Sequence, residues 1–265
     1  MRMCSIASGS SGNCVYVGSD TTHLLVDTGI SRRKIEEGLK TLALSVQDLD
    51  GILITHEHSD HISGLGVLIR RREIPIYATR GTIQKMREME SLRHIPADLF
   101  QEVREEEHFT IKDVMVAPMQ ISHDAAQPAA YRFRHDKKWV GIITDLGVYN
   151  EYTVECMRGM DVILLEANHD VRMLESGPYP YYLKRRILGE RGHLSNELSG
   201  RFLSRILHDQ LKAVILGHLS KENNLAELAY ETVRLEITMA DNEFKGNDFP
   251  IMVAKRDEVS GVVEI

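Results

Sequence analysis

The chain has 265 residues, 43% of them hydrophobic, so it is long enough to bury a sizeable core and lies just above the usual size of one domain. We therefore expect one domain that spans residues 1–265. The net charge of −7 excludes a global basic field that would attract nucleic acid or an anionic membrane, so any polyanionic substrate must be held by local charge.

Short β-rich runs alternate with helical patterns along the chain. Strands are predicted at 14–17, 23–26, 52–55, 74–78, 114–117, 131–133, 140–144, 162–165 and 214–216. Helices are predicted at 32–42, 62–72, 82–89, 148–157, 181–188, 196–207 and 225–239. Because both kinds of element are mixed through the two halves, and no linker or fixed repeat separates them, we expect a layered α/β architecture.

The cysteines indicate a reducing compartment. Cys4, Cys14 and Cys156 are widely separated and lack CxxC spacing, which argues against a disulfide framework or a cysteine-type zinc module. The first residues show no signal-peptide pattern, and no apolar stretch approaches the ~20 residues that a membrane crossing needs. We therefore expect a cytoplasmic protein with no membrane partner, of unknown oligomeric state.

One segment concentrates metal-binding side chains directly after the apolar run 51–54. It carries His56, His58, Asp60 and His61 within six positions. If the strand extends through the first two histidines, both rings leave the same face and can meet one ion. Asp60 and His61 follow, where the chain can turn toward a second ion. Such a cluster predicts a metal site.

Four more polar residues follow predicted strands, where loops gather and active sites are usually built. They are Asp27, His123, Asp145 and His218. Taken singly, a strand-terminal Asp is often a helix cap and a strand-terminal His is often a surface residue. Their shared position favours one common site.

With these residues the sequence resembles the metallo-β-lactamase superfamily of metallohydrolases, whose signature is an HxHxDH loop followed by separated His, Asp and His ligands. The resemblance runs from Val26-Asp27-Thr28-Gly29 to the loop that carries His218. Segments 7–13, 166–170 and 192–196 are similar to the YycJ/WalJ-type branch, which is itself similar to ribonuclease Z-type phosphodiesterases.

The resemblance implies a four-layer αββα sandwich with a metal site at one edge. It also implies two ion sites, formed by His56, His58 and His123, by Asp60, His61 and His218, and by Asp145 as the bridge. Imidazole and carboxylate without thiolate suit two divalent ions, Zn²⁺ or Mn²⁺, with Fe²⁺ also possible. The second histidine of the loop is present as His58, which disfavours the di-iron redox variant, where Glu replaces it. Position 145 is Asp rather than Cys, which disfavours a true β-lactamase.

The implied chemistry is in-line attack on phosphorus by hydroxide held between two ions. Asp60 would orient the hydroxide as well as bind metal, and Asp27 would fix a ligand imidazole from behind. His193 is placed like a ribonuclease Z histidine that contacts the scissile phosphate, so we expect it to protonate or stabilise the leaving alkoxide. Ser195, at a helix start, and His169 are candidate substrate contacts. The alternatives are that Ser195 caps the helix and that both histidines are bystanders.

We therefore expect a dinuclear metal-dependent phosphodiesterase, and the resemblance implies a DNA 5′-to-3′ exonuclease with DNA rather than RNA as its partner. Two alternatives stay open: a small-molecule (thio)ester hydrolase of the glyoxalase II kind, which shares every ligand, and a metal-binding regulatory protein with a silent site. Tyr179, Tyr181 and Tyr182, ahead of the basic run 184–186, could stack bases and hold phosphates, but such a stripe is more often a packed helix with a solvated basic end.

Overall fold

The central strands of each sheet are buried along their whole length, so both faces of each sheet are covered. In the computed structural model, which describes residues 1–265, one hydrophobic cluster lies between two sheets and includes residues of both, such as Leu53 and Phe133. A second cluster joins one sheet to helices through residues such as Ile35, and a third joins the other sheet to helices through residues such as Phe202. The layers therefore run helix, sheet, sheet, helix, and the predicted αββα sandwich is confirmed.

The first sheet has seven strands, numbered here in chain order. Its parallel half, strands β3 to β6, lies beside an antiparallel half. In spatial order the strands are β14 (Val263–Glu264), β1 (Arg2–Ala7), β2 (Cys14–Gly18), β3 (His23–Val26), β4 (Gly51–Leu53), β5 (Ile76–Thr79) and β6 (Phe100–Val103).

The second sheet also has seven strands, and β10 to β13 are parallel to one another. In spatial order they are β13 (Ile251–Val253), β12 (Ala213–Gly217), β11 (Val162–Glu166), β10 (Lys138–Ile143), β9 (Ala129–His135), β8 (Val114–Gln120) and β7 (Phe109–Ile111). The loops that follow β3, β4, β8, β10 and β12 meet at one edge of the sandwich, and the polar strand-end residues of both sheets lie there.

Nine α-helices connect the strands, and none is long and apolar enough to cross a membrane. They are α1 (Arg32–Thr41), α2 (Ser59–Ile62), α3 (Leu65–Ile69), α4 (Arg80–Glu88), α5 (Glu151–Met157), α6 (Val171–Ser176), α7 (Tyr181–Ile187), α8 (Asn196–Ser204) and α9 (Ala226–Met239). Three short 3₁₀ helices occur at Val46–Asp48, Glu90–Leu92 and Ala97–Leu99. Several helices begin at a polar cap; Ser31, for example, accepts a hydrogen bond from the backbone N–H of Lys34.

Two predicted elements near the metal-binding segment were wrong in extent. The strand predicted at 52–55 ends at Leu53. The helix predicted at 62–72 is two short helices, α2 and α3, separated at Gly64. The backbone N–H of Gly64 donates to the carbonyl of Thr28, and a Cβ there would lie 2.1 Å from the carbonyl oxygen of Ile30. This close approach ties the segment to the loop after β3 and interrupts the helix.

One buried hydroxyl links the two sheets directly behind the metal-binding segment. Tyr131 on β9 is fully buried, and its O–H donates to the carbonyl oxygen of Ile54 at 2.9 Å. Because Ile54 follows β4, this bond fixes the start of that segment against the opposite sheet.

We predict that Tyr131→Phe lowers the free energy of unfolding by about 1–2 kcal/mol, because the buried carbonyl of Ile54 loses its donor. Urea unfolding followed by circular dichroism measures the change. Tyr182→Phe is the matched control, since Tyr182 is 74% exposed, and it should stay within about 0.5 kcal/mol of the wild type. Equal stability of the Tyr131 variant and the wild type would contradict the prediction.

Candidate metal centre

Six imidazoles and four carboxylates converge where the strand ends of the two sheets meet. Seven of these ten side chains are buried; only His58, Asp60 and His193 are partly exposed. Such a density of ligand groups away from water requires either mutual pairing or bound cations. The ten residues are Asp27, His56, His58, Asp60, His61, His123, Asp145, Glu166, His193 and His218.

The first triad consists of His56, His58 and His123. His58 Nδ1 lies 3.1 Å from His56 Nε2 and 3.3 Å from His123 Nε2, so the three atoms face one point. Because β4 has already ended, a loop rather than a strand face brings His56 and His58 together. The remaining ring nitrogens of His56 and His123 are held from behind: Thr55 Oγ1 lies 3.1 Å from His56 Nδ1, and the Gly192 carbonyl lies 3.1 Å from His123 Nδ1.

The second triad consists of Asp60, His61 and His218. Asp60 Oδ2 lies 3.4 Å from Nε2 of each imidazole. A carboxylate stands behind each ring, because Asp27 Oδ2 lies 2.7 Å from His61 Nδ1 and Glu166 Oε1 lies 2.9 Å from His218 Nδ1. Carboxylates in this position orient an imidazole and make it a better ligand.

Asp145 lies between the two triads. Its Oδ2 is 3.2 Å from His61 Nε2, and its Oδ1 is 3.6 Å from His123 Nε2 and 3.5 Å from His218 Nε2. Although buried, Oδ2 makes no hydrogen bond. Asp145 thus has one oxygen near a histidine of each triad and a second, buried oxygen without a hydrogen-bond partner, which is the arrangement that a bridging ligand requires.

The strand ends that present these groups are locally strained. Asp27 and His218 directly follow β3 and β12, Asp145 lies two residues after the end of β10, and their φ angles are 60°, 55° and 58°, respectively. Residues other than glycine adopt this left-handed region rarely, although Asp and His do so more often than most. Strained backbone at three positions of the centre, two of them predicted ligands, is typical of functional sites.

Without a cation, the buried charges balance one another. Burial alone would lower the pKa of His61, yet Asp145 and two other carboxylates raise it well above its usual range. Burial would lower the pKa of His218 too, but Asp145 and two hydrogen-bonded carboxylates raise it to about 10. Burial would raise the pKa of Asp145, but His218 and His61 hold it well below its usual range. In contrast, burial and the nearby His61 lower the pKa of His56.

The residues present fit divalent cations. Each triad brings one ligand atom per residue to within 4.8 Å of the others, and two further groups of this kind contain Asp145, one with His56 and His61 and one with Glu166, His193 and His218. Nitrogen and carboxylate oxygen suit Zn²⁺ and Mn²⁺, and the unbonded Oδ2 of Asp145 lacks a partner that a cation would supply. The structure thus brings together all seven residues predicted as ligands, and their role as ligands stays a prediction.

His193 lines the small cavity beside the triads, together with His58, Asp60 and Asp145. This cavity measures about 190 Å³. A larger cavity of about 440 Å³ adjoins His123, but no carboxylate of the centre lines it, so we place the reaction in the smaller one. His193 Nδ1 lies 2.8 Å from Glu166 Oε1, and Nε2 makes no hydrogen bond within the protein.

Two predicted substrate contacts do not reach this cavity. Ser195 is 4% exposed, and its Oγ accepts a hydrogen bond from the backbone N–H of Leu198, so it caps α8. His169 is 1% exposed, and its Nδ1 lies 3.4 Å from Asn168 Oδ1. The structure thus uses Ser195 as a helix cap and encloses His169, and their role as substrate contacts stays a prediction.

Sequence reasoning gave no role to three residues that organise the centre. Glu166 Oε1 contacts both His193 and His218, and its Oε2 accepts the backbone N–H of Leu146. Asn168 Nδ2 donates to the carbonyl of His218, and Asn13 Nδ2 lies 3.2 Å from His61 Nε2. The signal for Glu166 was its place at the end of a buried strand, which is the rule that found Asp27 and Asp145.

Comparison with known proteins gives a consistent family. A family model described as a β-lactamase superfamily domain matches residues 22–218. The exodeoxyribonuclease WalJ of Streptococcus pneumoniae is 40% identical over 260 residues, covering 98% of this chain and 96% of that protein. The exodeoxyribonuclease YycJ of Bacillus anthracis is 40% identical over 228 residues, covering 86% of each. The metallo-β-lactamase fold protein YhfI of Bacillus subtilis superposes with a TM-score of 0.71 at 14% identity, over 98% of both chains, which supports the fold.

We predict that Asp27→Asn weakens metal binding about 10- to 100-fold, because the carboxylate behind His61 is lost. Asparagine tolerates the left-handed backbone at this position, so the chain should remain folded. Zinc titration against a chromophoric chelator measures the affinity. Asp20→Asn, an exposed acidic residue, is the control for net charge, and equal affinities of the two variants would contradict the prediction.

We also predict that Gly29→Ala disrupts the second triad, because its Cβ would lie 1.6 Å from the backbone oxygen of Asp60. The backbone must shift, which should lower the free energy of unfolding by about 1–3 kcal/mol and reduce bound metal. Gly261→Ala is the control, since its Cβ would meet nothing within 4 Å. Urea unfolding and metal analysis should separate the two variants, and unchanged metal content in Gly29→Ala would show the idea to be mistaken.

Proposed function

The chain belongs to the β-lactamase superfamily, in the group of WalJ and YycJ, and from this premise we propose that it is a DNA 5′-to-3′ exonuclease that uses two divalent ions. It is a hydrolase of phosphodiester bonds, as its near-full-length relatives indicate. We place its action in the cytoplasm, where Cys4, Cys14 and Cys156 stay free thiols. DNA preference, polarity and the number of ions are the parts that need testing.

The observation that carries the proposal is the pair formed by His193 and Glu166 beside the triads. His193 Nδ1 lies 2.8 Å from Glu166 Oε1 and 3.7 Å from Asp145 Oδ1, so the ring is adjacent to the proposed bridging carboxylate. Its side chain is 15% exposed, enough to meet a substrate in the cavity. Hydrolysis of a phosphodiester needs a proton for the departing alkoxide, and this imidazole is placed to supply it.

The residues would divide the work as follows. Glu166 accepts a hydrogen bond from Nδ1–H of His193, which leaves Nε2 facing the cavity, and a proton on Nε2 can pass to the leaving oxygen. Asp60 is 24% exposed, and its carboxylate can accept a hydrogen bond from the attacking water and orient it. Glu166 also holds His218, so one carboxylate aligns the proton donor with the second triad.

The family implies divalent metal binding, and the two triads with Asp145 between them are the residues that would hold two ions. Such ions supply activated water for attack at phosphorus and positive charge opposite the phosphate oxygens. Zn²⁺ and Mn²⁺ both suit this ligand set.

A substrate panel tests the proposal. We expect the metal-loaded protein to release a labelled mononucleotide early from 5′-labelled DNA and to shorten 3′-labelled DNA progressively, with Mn²⁺ or Zn²⁺ present. The panel contains single- and double-stranded DNA and RNA, and His58→Ala is the control for a contaminating nuclease.

Other results would replace the proposal. Faster cleavage of RNA than of DNA, or early loss of a 3′ label, would contradict the substrate or the polarity. Thioester hydrolysis with DNA left intact would favour the glyoxalase II kind of enzyme. Bound metal with no turnover of any substrate would favour a regulatory role.

We predict that His193→Ala lowers kcat for DNA by about 10²- to 10⁴-fold, because a general acid is removed. Bound metal should stay at the wild-type level, since the ring belongs to neither triad. Steady-state kinetics and metal analysis of the same preparation measure both quantities. His208→Ala, whose ring bonds to the Met160 carbonyl at 3.0 Å away from the triads, is the matched control. If the His193→Ala variant were as active as this control, His193 would not be the general acid.

A further inference from the structure

Arg186 is the one lysine or arginine among the residues that line the small cavity. It lies near the end of α7, and Leu183 and Ile187 of the same helix also line that cavity. The helix therefore forms one wall of the reaction space, and a permanent positive charge stands on that wall. The other ionisable groups on the lining are three histidines, two carboxylates and the phenol of Tyr179.

The guanidinium of Arg186 forms a bidentate ion pair with the carboxylate of Asp124. Its Nε donates to Asp124 Oδ2 at 2.5 Å, and its Nη2 donates to Asp124 Oδ1 at 2.9 Å. The same Oδ1 lies 3.4 Å from His123 Nε2 and 3.9 Å from His58 Nε2. An anion bound to this fork is therefore in contact with the first triad.

The other basic residues of the helix point elsewhere. Lys184 Nζ donates to the carbonyl of Glu175 at 2.7 Å. Arg185 Nη1 donates to the Tyr181 hydroxyl at 3.4 Å, and its guanidinium lies 6.0 Å from the centre of that ring. Neither residue lines the cavity, so the basic run delivers only one of its three charges to the site.

We propose that Arg186 binds the phosphate group next to the cleaved bond, and that Asp124 holds the guanidinium in place until the substrate displaces it. Phosphate offers the same pair of oxygens to the fork as a carboxylate does. The side chains of Arg186 and Asp124 are 49% and 31% exposed. Ion pairs this exposed contribute little to stability, so a substrate phosphate can replace the carboxylate of Asp124 on the guanidinium. This inference rests on the proposed function and adds the residue that recognises the substrate anion.

The first test compares Arg186→Ala with Arg185→Ala on the same helix. We expect the Arg186 variant to raise KM for DNA on the order of ten-fold, because one charge-assisted bidentate contact is lost. We also expect it to reduce the slope of log KM against log salt concentration by about one phosphate contact. Arg185→Ala should resemble the wild type, and Arg186→Lys, which keeps the charge without the fork, should be intermediate.

The second test uses Asp124, because the two roles of the pair predict opposite signs. If Asp124 competes with substrate for the guanidinium, Asp124→Asn lowers KM for DNA, and that effect disappears in the Arg186→Ala background. If the pair only clamps α7, both single variants raise KM and lower the unfolding midpoint together. The second pattern, or an Arg186→Ala variant with wild-type KM and salt slope, would overturn the inference.

The outcome is distinguishable from failure of the proposed function. A wild-type protein that leaves every DNA substrate intact under Mn²⁺ overturns the proposed function and this inference with it. A wild-type protein that degrades DNA while Arg186→Ala matches Arg185→Ala overturns this inference alone.

Discussion

The centre depends on one physical constraint: an imidazole that must present one nitrogen to a site needs its other nitrogen fixed. Two buried carboxylates meet this need for the second triad, Asp27 behind His61 and Glu166 behind His218. Each carboxylate accepts a backbone N–H as well, from Thr55 and from Leu146, so it is itself held firmly. The ligand imidazoles are therefore positioned by two carboxylates, Asp27 and Glu166, that do not line the cavity.

The sequence was sufficient for the fold and for the convergence of the seven predicted ligand residues, but it did not identify Glu166. A buried strand places the next residue at the sheet edge, and this rule located Asp27, Asp145 and His218 whatever loop follows. It failed where tertiary contacts decide the backbone. The segment after β4 leaves the strand at Leu53, since its shape comes from the hydrogen bond of Tyr131 and the close approach at Gly29.

Side-chain direction was beyond the reach of the sequence for a different reason. Helical periodicity says which residues share a face, but not which face meets the active edge. Ser195 does not line the cavity although its motif suggested that it would, whereas Arg186 lines it although its sequence context suggested a solvated residue. Ser195 lies two residues after His193, the proposed acid, and its hydroxyl caps α8. Arg186, in a run that would ordinarily be solvated, points into the reaction space because α7 lies across it.

Each triad draws ligands from both sheets, and this has a consequence for the chain during synthesis. His56, His58, Asp60 and His61 follow β4 of the first sheet, whereas His123 and His218 belong to loops of the second. A growing chain lacks the second triad until residue 218 has been made, and neither triad is complete until the two sheets have packed together. Metal binding is therefore coupled to closure of the sandwich, because no single segment of the chain holds a complete triad.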